Sequence, residues 1–282
     1  MVKTLIINST NYVENSGNKY IYRFPSMYEF STSAKVGLQS IAIYNSTFNI
    51  SSELDNNKLQ IIWNAKTSVT YNITIPDGYY SGPDFNYFLQ SEFIARKLYM
   101  TQQNGEEYLY FFEIQTNSIR YAFQIYTYAL PTAEQAVILG YSMPTGATWS
   151  LPTTSKSPQI VLSPSLGTLF GFKHNLTFPT LPSISISNEY LSDSRPILSP
   201  VSNYVISLNI ISSKYCKPDN IFYAVPLNSS FGSLITLSSS NIIYNDISAG
   251  RYNEIVVTFY DQNFTPIKLN DTELLLVLAI IE

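Results

Sequence analysis

Residues 69–75 read Val-Thr-Tyr-Asn-Ile-Thr-Ile, so that Val69, Tyr71, Ile73 and Ile75 alternate with Thr70, Asn72 and Thr74. A period of two sends alternate side chains to opposite sides of an extended backbone, the pattern of a half-buried strand. Just upstream, Leu59, Ile61 and Trp63 alternate with Gln60, Ile62 and Asn64, and only Ala65-Lys66 separates this run from the next. The two runs therefore predict a hairpin. A second hairpin is expected over 108–115 and 119–127, turned at Asn117-Ser118, with Tyr108, Tyr110, Phe112 and Ile114 on one face and Ile119, Tyr121, Phe123 and Ile125 on one face of its partner.

Further strands are expected at 2–8, 19–24, 36–50, 160–162, 204–212, 234–237, 254–260 and 274–281. The last reads Leu-Leu-Leu-Val-Leu-Ala-Ile-Ile. A continuous apolar run of that length predicts a strand covered on both faces, although a short buried helix has the same composition. One longer helix is expected, capped by Ser81, with Pro83 and Asp84 in its first turn. Phe85, Phe88, Leu89 and Phe93 then form one apolar face, and the helix should reach about Met100 before an Asn104-Gly105 turn. A helical turn is expected over 164–170. Pro and Ser cluster over 142–158 and 179–200, which read as loops. On the order of ten short strands with one substantial helix describe an all-β sandwich. Strand number alone does not separate a jelly roll from other Greek-key sandwiches.

Composition narrows the function classes. Charged residues make up 13% of the 282 positions, about half the usual ~25%, while aromatic residues reach 15% and include 23 Tyr. Such a surface is either Tyr/Asn/Ser/Thr-rich or set against partners, since Tyr contributes large contact area with a polar tip. An AT-rich genome would raise Ile, Asn and Tyr as well. The net charge is −4 and no basic tract tracks a phosphate backbone, so direct nucleic-acid binding is not expected. Cys216 is the only cysteine, which leaves no intrachain disulfide and no cysteine-built zinc site. The opening residues 1–8 do not read as a secretion signal, and no apolar run approaches the ~20 residues of a membrane helix. Sequons at Asn8, Asn45, Asn72 and Asn228 are attributed to chance in an Asn/Ser/Thr-rich chain.

Residues able to carry catalysis are few. His174 is the only histidine, so any Ser-His-Asp arrangement must use it, yet no nucleophile elbow accompanies it. Cys216 has Lys214 and Lys217 nearby, which would favour a thiolate; a buried or incidental thiol is the plainer reading. Carboxylate pairs for glycoside hydrolysis can be drawn from Asp77 with Asp84, Glu106 with Glu107, or Asp261 with Asp271. Each acid also has a local role at a turn, a helix start or a strand end. No Gly-x-Gly-x-x-Gly, Walker or calcium-loop pattern is present. Of the two tryptophans, Trp63 sits on a core strand face, whereas Trp149 lies in a loop and is the candidate platform for stacking a sugar. No catalytic, cofactor-binding or metal-binding residue is assigned, no cofactor is expected, and the chain is not expected to be an enzyme.

Three stretches carry a family resemblance. They are Ile75-Pro-Asp-Gly-Tyr-Tyr-Ser81 with the Phe85-Asn-Tyr-Phe-Leu-Gln90 helix, then Ser165-Leu-Gly-Thr-Leu-Phe-Gly-Phe172, and then the C-terminal series Asn220-Ile-Phe-Tyr-Ala-Val-Pro226, Phe231-Gly-Ser-Leu-Ile235, Ile247-Ser-Ala-Gly-Arg-Tyr252, Val257-Thr-Phe-Tyr-Asp-Gln262 and 269–278. In order and spacing they resemble the minor capsid (penton) proteins of virophages and polinton-like viruses. The Tyr44-Asn-Ser-Thr-Phe-Asn49 stretch is similar too. The resemblance implies a single jelly-roll domain over 1–282 with room for a β-rich insertion within about 128–200. It also implies a homopentamer at icosahedral vertices, docked to a double jelly-roll major capsid protein, with other virion proteins as further candidate partners and the virion as its location. The alternative reading is a carbohydrate- or receptor-binding β-sandwich, such as a viral attachment protein; a glycosidase or lyase on a jelly-roll scaffold stands third.

Overall fold

The computed structural model describes residues 1–102, 107–182, 187–213 and 216–282. The expected Asn104-Gly105 turn, Glu106 and Lys214 lie outside the described residues. Three strands come first, β1 (Val2–Asn8), β2 (Lys19–Phe30) and β3 (Lys35–Tyr44). Ten follow: β4 (Lys58–Asn64), β5 (Ser68–Thr74), β6 (Met100–Gln102), β7 (Tyr108–Leu109), β8 (Phe112–Asn117), β9 (Ala122–Tyr128), β10 (Tyr141–Ser142), β11 (Gln159–Leu162), β12 (Thr177–Phe178) and β13 (Ser187–Leu191). Among them lie the helices α1 (Gly82–Arg96), α2 (Ala133–Leu139) and α3 (Pro164–Phe170). The chain closes with β14 (Asn203–Leu208), β15 (Ile221–Pro226), β16 (Leu234–Ser238), β17 (Tyr244–Asp246), β18 (Gly250–Tyr260) and β19 (Leu274–Ile281). All strand pairings among the described residues are antiparallel, and the fold is all-β.

Two compact units divide the chain: Met1–Phe48 with Ser199–Glu282, and Asn49–Leu198. In the first, one sheet has the order β1-β19-β3-β16, with the short β17 also on β3, and a second has the order β15-β14-β18-β2. Eight principal strands in two four-stranded antiparallel sheets make a jelly-roll-like sandwich. Period-two alternation feeds its core from both sheets: Ile7, Ile41, Ile43, Leu276 and Leu278 from one, Tyr20, Tyr204, Ile206, Val257 and Phe259 from the other. Tyr204 is buried without a polar penalty, because its hydroxyl accepts the Ser46 N–H at 3.1 Å; burial raises its pKa, so the phenol stays neutral.

The second unit, an excursion between β3 and β14, contains the sheets β12-β11-β4-β5, β13-β9-β8 and β10-β6-β7. It starts at Asn49, well ahead of the segment 128–200 in which an insertion was expected. The β4/β5 hairpin forms with Leu59 opposite Ile73 and Trp63 opposite Val69. Helix α1 begins as its sequence requires: the Ser81 and Asp84 side chains cap it reciprocally, and Phe85, Leu89 and Phe93 are buried. It ends earlier than expected, at Arg96, because Lys97 turns left-handed (φ 57°) and β6 then starts at Met100. Tyr80 packs edge-on against Phe85 and Phe88, so the turn before the helix is fastened to its first two turns. Helix α3 ends at Gly171 (φ 86°), where a Cβ would stand 2.1 Å from the Ser194 carbonyl oxygen; only glycine fits there.

Three local expectations are corrected. Tyr108 and Phe112 belong to different sheets, since β7 pairs β6 and β8 pairs β9, and Ile119 and Tyr121 lie in the connecting turn, 96% and 66% exposed. The stretch 179–200 is not all loop: β13 pairs β9 along five residues. Helix α2 was not foreseen, although Thr132 and Gln135 form a capping box and Gly140 a left-handed C-cap, signals short enough to pass as turn residues.

Asn49 closes the excursion on itself. Its side chain is fully buried, donates to the carbonyls of Tyr80 and Leu198, both at 2.9 Å, and accepts the Tyr80 N–H at 2.8 Å. The first residue of the unit thus holds the last, through an amide able to donate and accept at once. Asn49→Ala should lower stability by about 1–3 kcal/mol for the groups left unpaired, and Asn49→Asp by more, because a carboxylate would face two carbonyl oxygens. Calorimetric unfolding of both variants checks this; a wild-type melting profile for Asn49→Asp would refute it.

Candidate interaction surface

Strand β19 shows how the surface arises. Leu274, Leu276, Leu278 and Ile280 point into the sandwich. Leu275, Val277, Ala279 and Ile281 take the opposite face by strand geometry. The continuous apolar run was expected to be covered on both sides; this holds at Ala279, which is buried, whereas Leu275 is 45% exposed, and Val277 and Ile281 are half-buried. The register extends this face across the sheet. Leu275 lies between Asn8 and Ala42, and Ala42 faces Thr236. Val277 lies between Ile6 and Ser40, with Ser238 beyond. Ala279 lies between Thr4 and Gly37, and Tyr44 pairs Leu234 at the far end. None of these positions bears a charge. The first charged side chain on this face is Lys35, opposite Ile281, and it pairs with Asp246 at 3.3 Å.

Val2, Ile6 and Leu234 are 60%, 51% and 48% exposed. An antiparallel sheet with one solvated face normally carries polar residues there. Here the polar positions are the short, uncharged Thr4, Asn8, Ser40, Thr236 and Ser238, and an uncharged face that exposes large aliphatic side chains among them has the character of a contact surface. The outer face of the other sheet differs: Lys19, Arg23 and Glu254 stand there across β2 and β18, and Arg23 approaches Glu254 at 3.6 Å.

The residues singled out for chemistry are dispersed among structural tasks. Asp77 accepts the Ser52 N–H and hydroxyl at 2.8 and 3.0 Å, whereas Asp84 caps α1. Asp261 accepts the N–H groups of Asn263 and Thr265, both at 2.8 Å, and Asp271 that of Glu273 at 2.9 Å. Glu107 accepts from Gln102 at 2.7 Å. The His174 side chain is exposed, and its backbone N–H donates to Asp193 at 3.3 Å. With the Lys173 N–H at 2.9 Å, this holds the Asp193 carboxyl below the usual carboxylate range, the Lys173 bond being the larger cause. Cys216 is exposed, not buried at a strand end. Among the described residues no group of three or more His, Cys, Asp or Glu is placed to hold a metal ion, and no helix is long and apolar enough to cross a membrane.

Trp63 is core, as its strand face implied. Trp149 is not the exposed platform its loop position suggested. It is only 6% exposed, stands edge-on to Trp63 at 5.2 Å and donates its indole N–H to the Lys97 carbonyl at 2.7 Å. The loop is pulled inward because the indole fills the end of the β4 face and its one polar atom satisfies a helix-terminal carbonyl.

No protein-family model matches the sequence, and no curated protein matches it significantly. Among solved structures, the crystal structure of selenomethionine-labelled mavirus penton protein is similar, at 14% identity and a TM-score of 0.44, covering 100% of this chain and 98% of that one.

Trp149→Ala should cost about 3–5 kcal/mol, as for other buried aromatics, read as a lowered chemical-denaturation midpoint. A variant as stable as wild type would show that the indole is not a core group.

Proposed function

We propose that this chain is a structural capsid protein, a penton that closes the five-fold vertices of an icosahedral virion as a homopentamer docked to a double jelly-roll major capsid protein. The observation that carries this reading is the uncharged outer face of the β1-β19-β3-β16 sheet, on which Val2, Ile6, Leu234 and Leu275 are exposed. A monomer gains nothing from exposing Ile6, Leu275 and Leu234, each about half exposed, whereas burying what remains of each against a partner contributes about 1 kcal/mol. A ring of five uses a heterologous contact, in which this face meets a different surface of the next copy. The more charged outer face of the second sheet, with Lys19, Arg23 and Glu254, argues that the two sheets do not play the same part.

The jelly-roll-like strand order supports the reading at the level of architecture, since this sandwich recurs in viral capsid and lectin domains, but a fold hosts many functions. The sequence stretches that resemble virophage and polinton-like minor capsid proteins fall on structural positions: the turn and cap of α1, the α3 helix, and the strands β15, β16 and β18. The alternative, a carbohydrate- or receptor-binding sandwich, loses the support of Trp149, which is buried. An enzyme reading gains no support from the described acids, since Asp84, Asp261 and Asp271 bond local backbone, Asp77 bonds Ser52 and Glu107 bonds Gln102.

Mass photometry of the purified chain tests the proposal. A species of five chain masses is expected, together with incorporation beside the major capsid protein on co-expression. Ile6→Glu and Leu275→Glu should return it to the monomer with an unchanged circular dichroism spectrum. A wild-type chain that stays monomeric at every concentration and does not co-assemble would refute the proposal.

A further inference from the structure

The second unit holds a cleft of about 570 Å³ that plays no part in the reading above. Leu109, Tyr110, Tyr128 and Tyr141 line it together with Ile138 and Leu139 of α2. The walls are fastened. The Tyr128 N–H donates to the Phe111 carbonyl at 3.0 Å and the Leu130 N–H to the Lys156 carbonyl at 2.8 Å. The Ser155 hydroxyl donates to the Leu130 carbonyl at 2.8 Å, and α2 is capped at both ends by Thr132 and Gly140. The cleft is therefore preformed rather than a gap between mobile loops.

Its chemistry is narrow. None of the eleven described residues that line it carries a charge. The Tyr128 hydroxyl already donates to the Glu113 carboxylate at 3.5 Å, so the phenols the cleft offers to an acceptor are those of Tyr110 and Tyr141, and burial raises the pKa of Tyr110. Ile138 and Leu139 stand 82% and 54% exposed on the rim, although the two residues are among the most apolar in the helix. The size is that of a small-molecule site, about 300–1,000 Å³. A stable protein interface draws on about 20–30 residues a side, roughly twice what lines this cleft.

We propose that the cleft binds a small, uncharged, mainly apolar molecule that carries a hydrogen-bond acceptor, with its apolar body against Leu109, Ile138 and Leu139 and its acceptor served by a tyrosine hydroxyl. A charged ligand would lose its hydration without gaining an ion pair, and a purely apolar one would leave the hydroxyls unmatched.

The probe is Nile red, a neutral aromatic with a carbonyl acceptor, titrated into the full chain and followed by fluorescence. Saturable binding at one site per chain is expected, competed by dodecanol, with the anionic dye 8-anilinonaphthalene-1-sulfonate failing to compete. Ile138→Glu, a substitution on an exposed rim, should weaken Nile red by about tenfold or more at an unchanged melting temperature. Tyr141→Phe should weaken it by about three- to tenfold. Ile6→Glu, on the outer face of the sandwich, should leave the affinity unchanged and so separates this site from the assembly surface. Unsaturable binding, or binding that Ile138→Glu leaves intact, overturns the proposal. Displacement of the probe by the purified major capsid protein overturns it as well, since the cleft would then be a protein contact.

Discussion

Strand β19 is apolar on both faces; the inner one is covered by its own unit and the outer one only in part. Leu274 and Leu276 lie inside the sandwich while Leu275, between them in sequence, stands 45% exposed. Pleating forces this outcome, because successive side chains leave the backbone on opposite sides and a run of eight apolar residues cannot send them all inward. The strand sits between β1 and β3 in the middle of its sheet, so its outer residues are flanked by those of its neighbours, and these are uncharged too. The surface is thus a property of the sheet. Water is a poor partner for it, and a second protein surface is a good one. The proposed assembly role rests on that imbalance.

The excursion obeys a different constraint. A segment of some 150 residues placed between two strands of a sandwich must start and finish close together if the sandwich is to form. Asn49 meets that requirement with hydrogen bonds from one fully buried side chain to both Tyr80 and Leu198. Around it the unit builds its own core, in which Phe170 meets Phe85 edge-on and Phe123 in a stacked arrangement, both at 4.7 Å, and Trp63 meets Trp149. Phenylalanine and tryptophan are therefore spent largely inside, whereas among the described tyrosines only Tyr20 and Tyr204 are buried. The low charge content shows on the outer sheet face and in the cleft beside α2, and it defines two surfaces of different kinds: one broad and flat, suited to a protein, the other small and concave, suited to a molecule.

The acids illustrate how local chemistry absorbs candidate sites. Asp84, Asp261 and Asp271 each accept backbone N–H groups within a few residues, the ordinary behaviour of short carboxylates at turns and helix starts. Such bonds are legible from spacing, and for that reason the sequence assigned no catalytic residue. Trp149 was misjudged by the same kind of reasoning, because loop residues are usually exposed; a contact with Trp63, far away in sequence, decided otherwise.

Alternation and capping determined much in one dimension: the β4/β5 hairpin, the start of α1 at Ser81, the all-β class and the apolar character of β19 are all local, set by a period of two or by a side chain bonding its own turn. Strand order, the extent of the excursion from Asn49 to Leu198, the pairing of β13 with β9 and the burial of Trp149 came only with tertiary structure. Each depends on contacts between residues tens or hundreds of positions apart, which no local period encodes. The exposure of Leu275 belongs to both. Its hydrophobicity is written in the chain, but whether a neighbouring sheet covers it is a matter of packing, and within its own sandwich the core needs only one side of the strand.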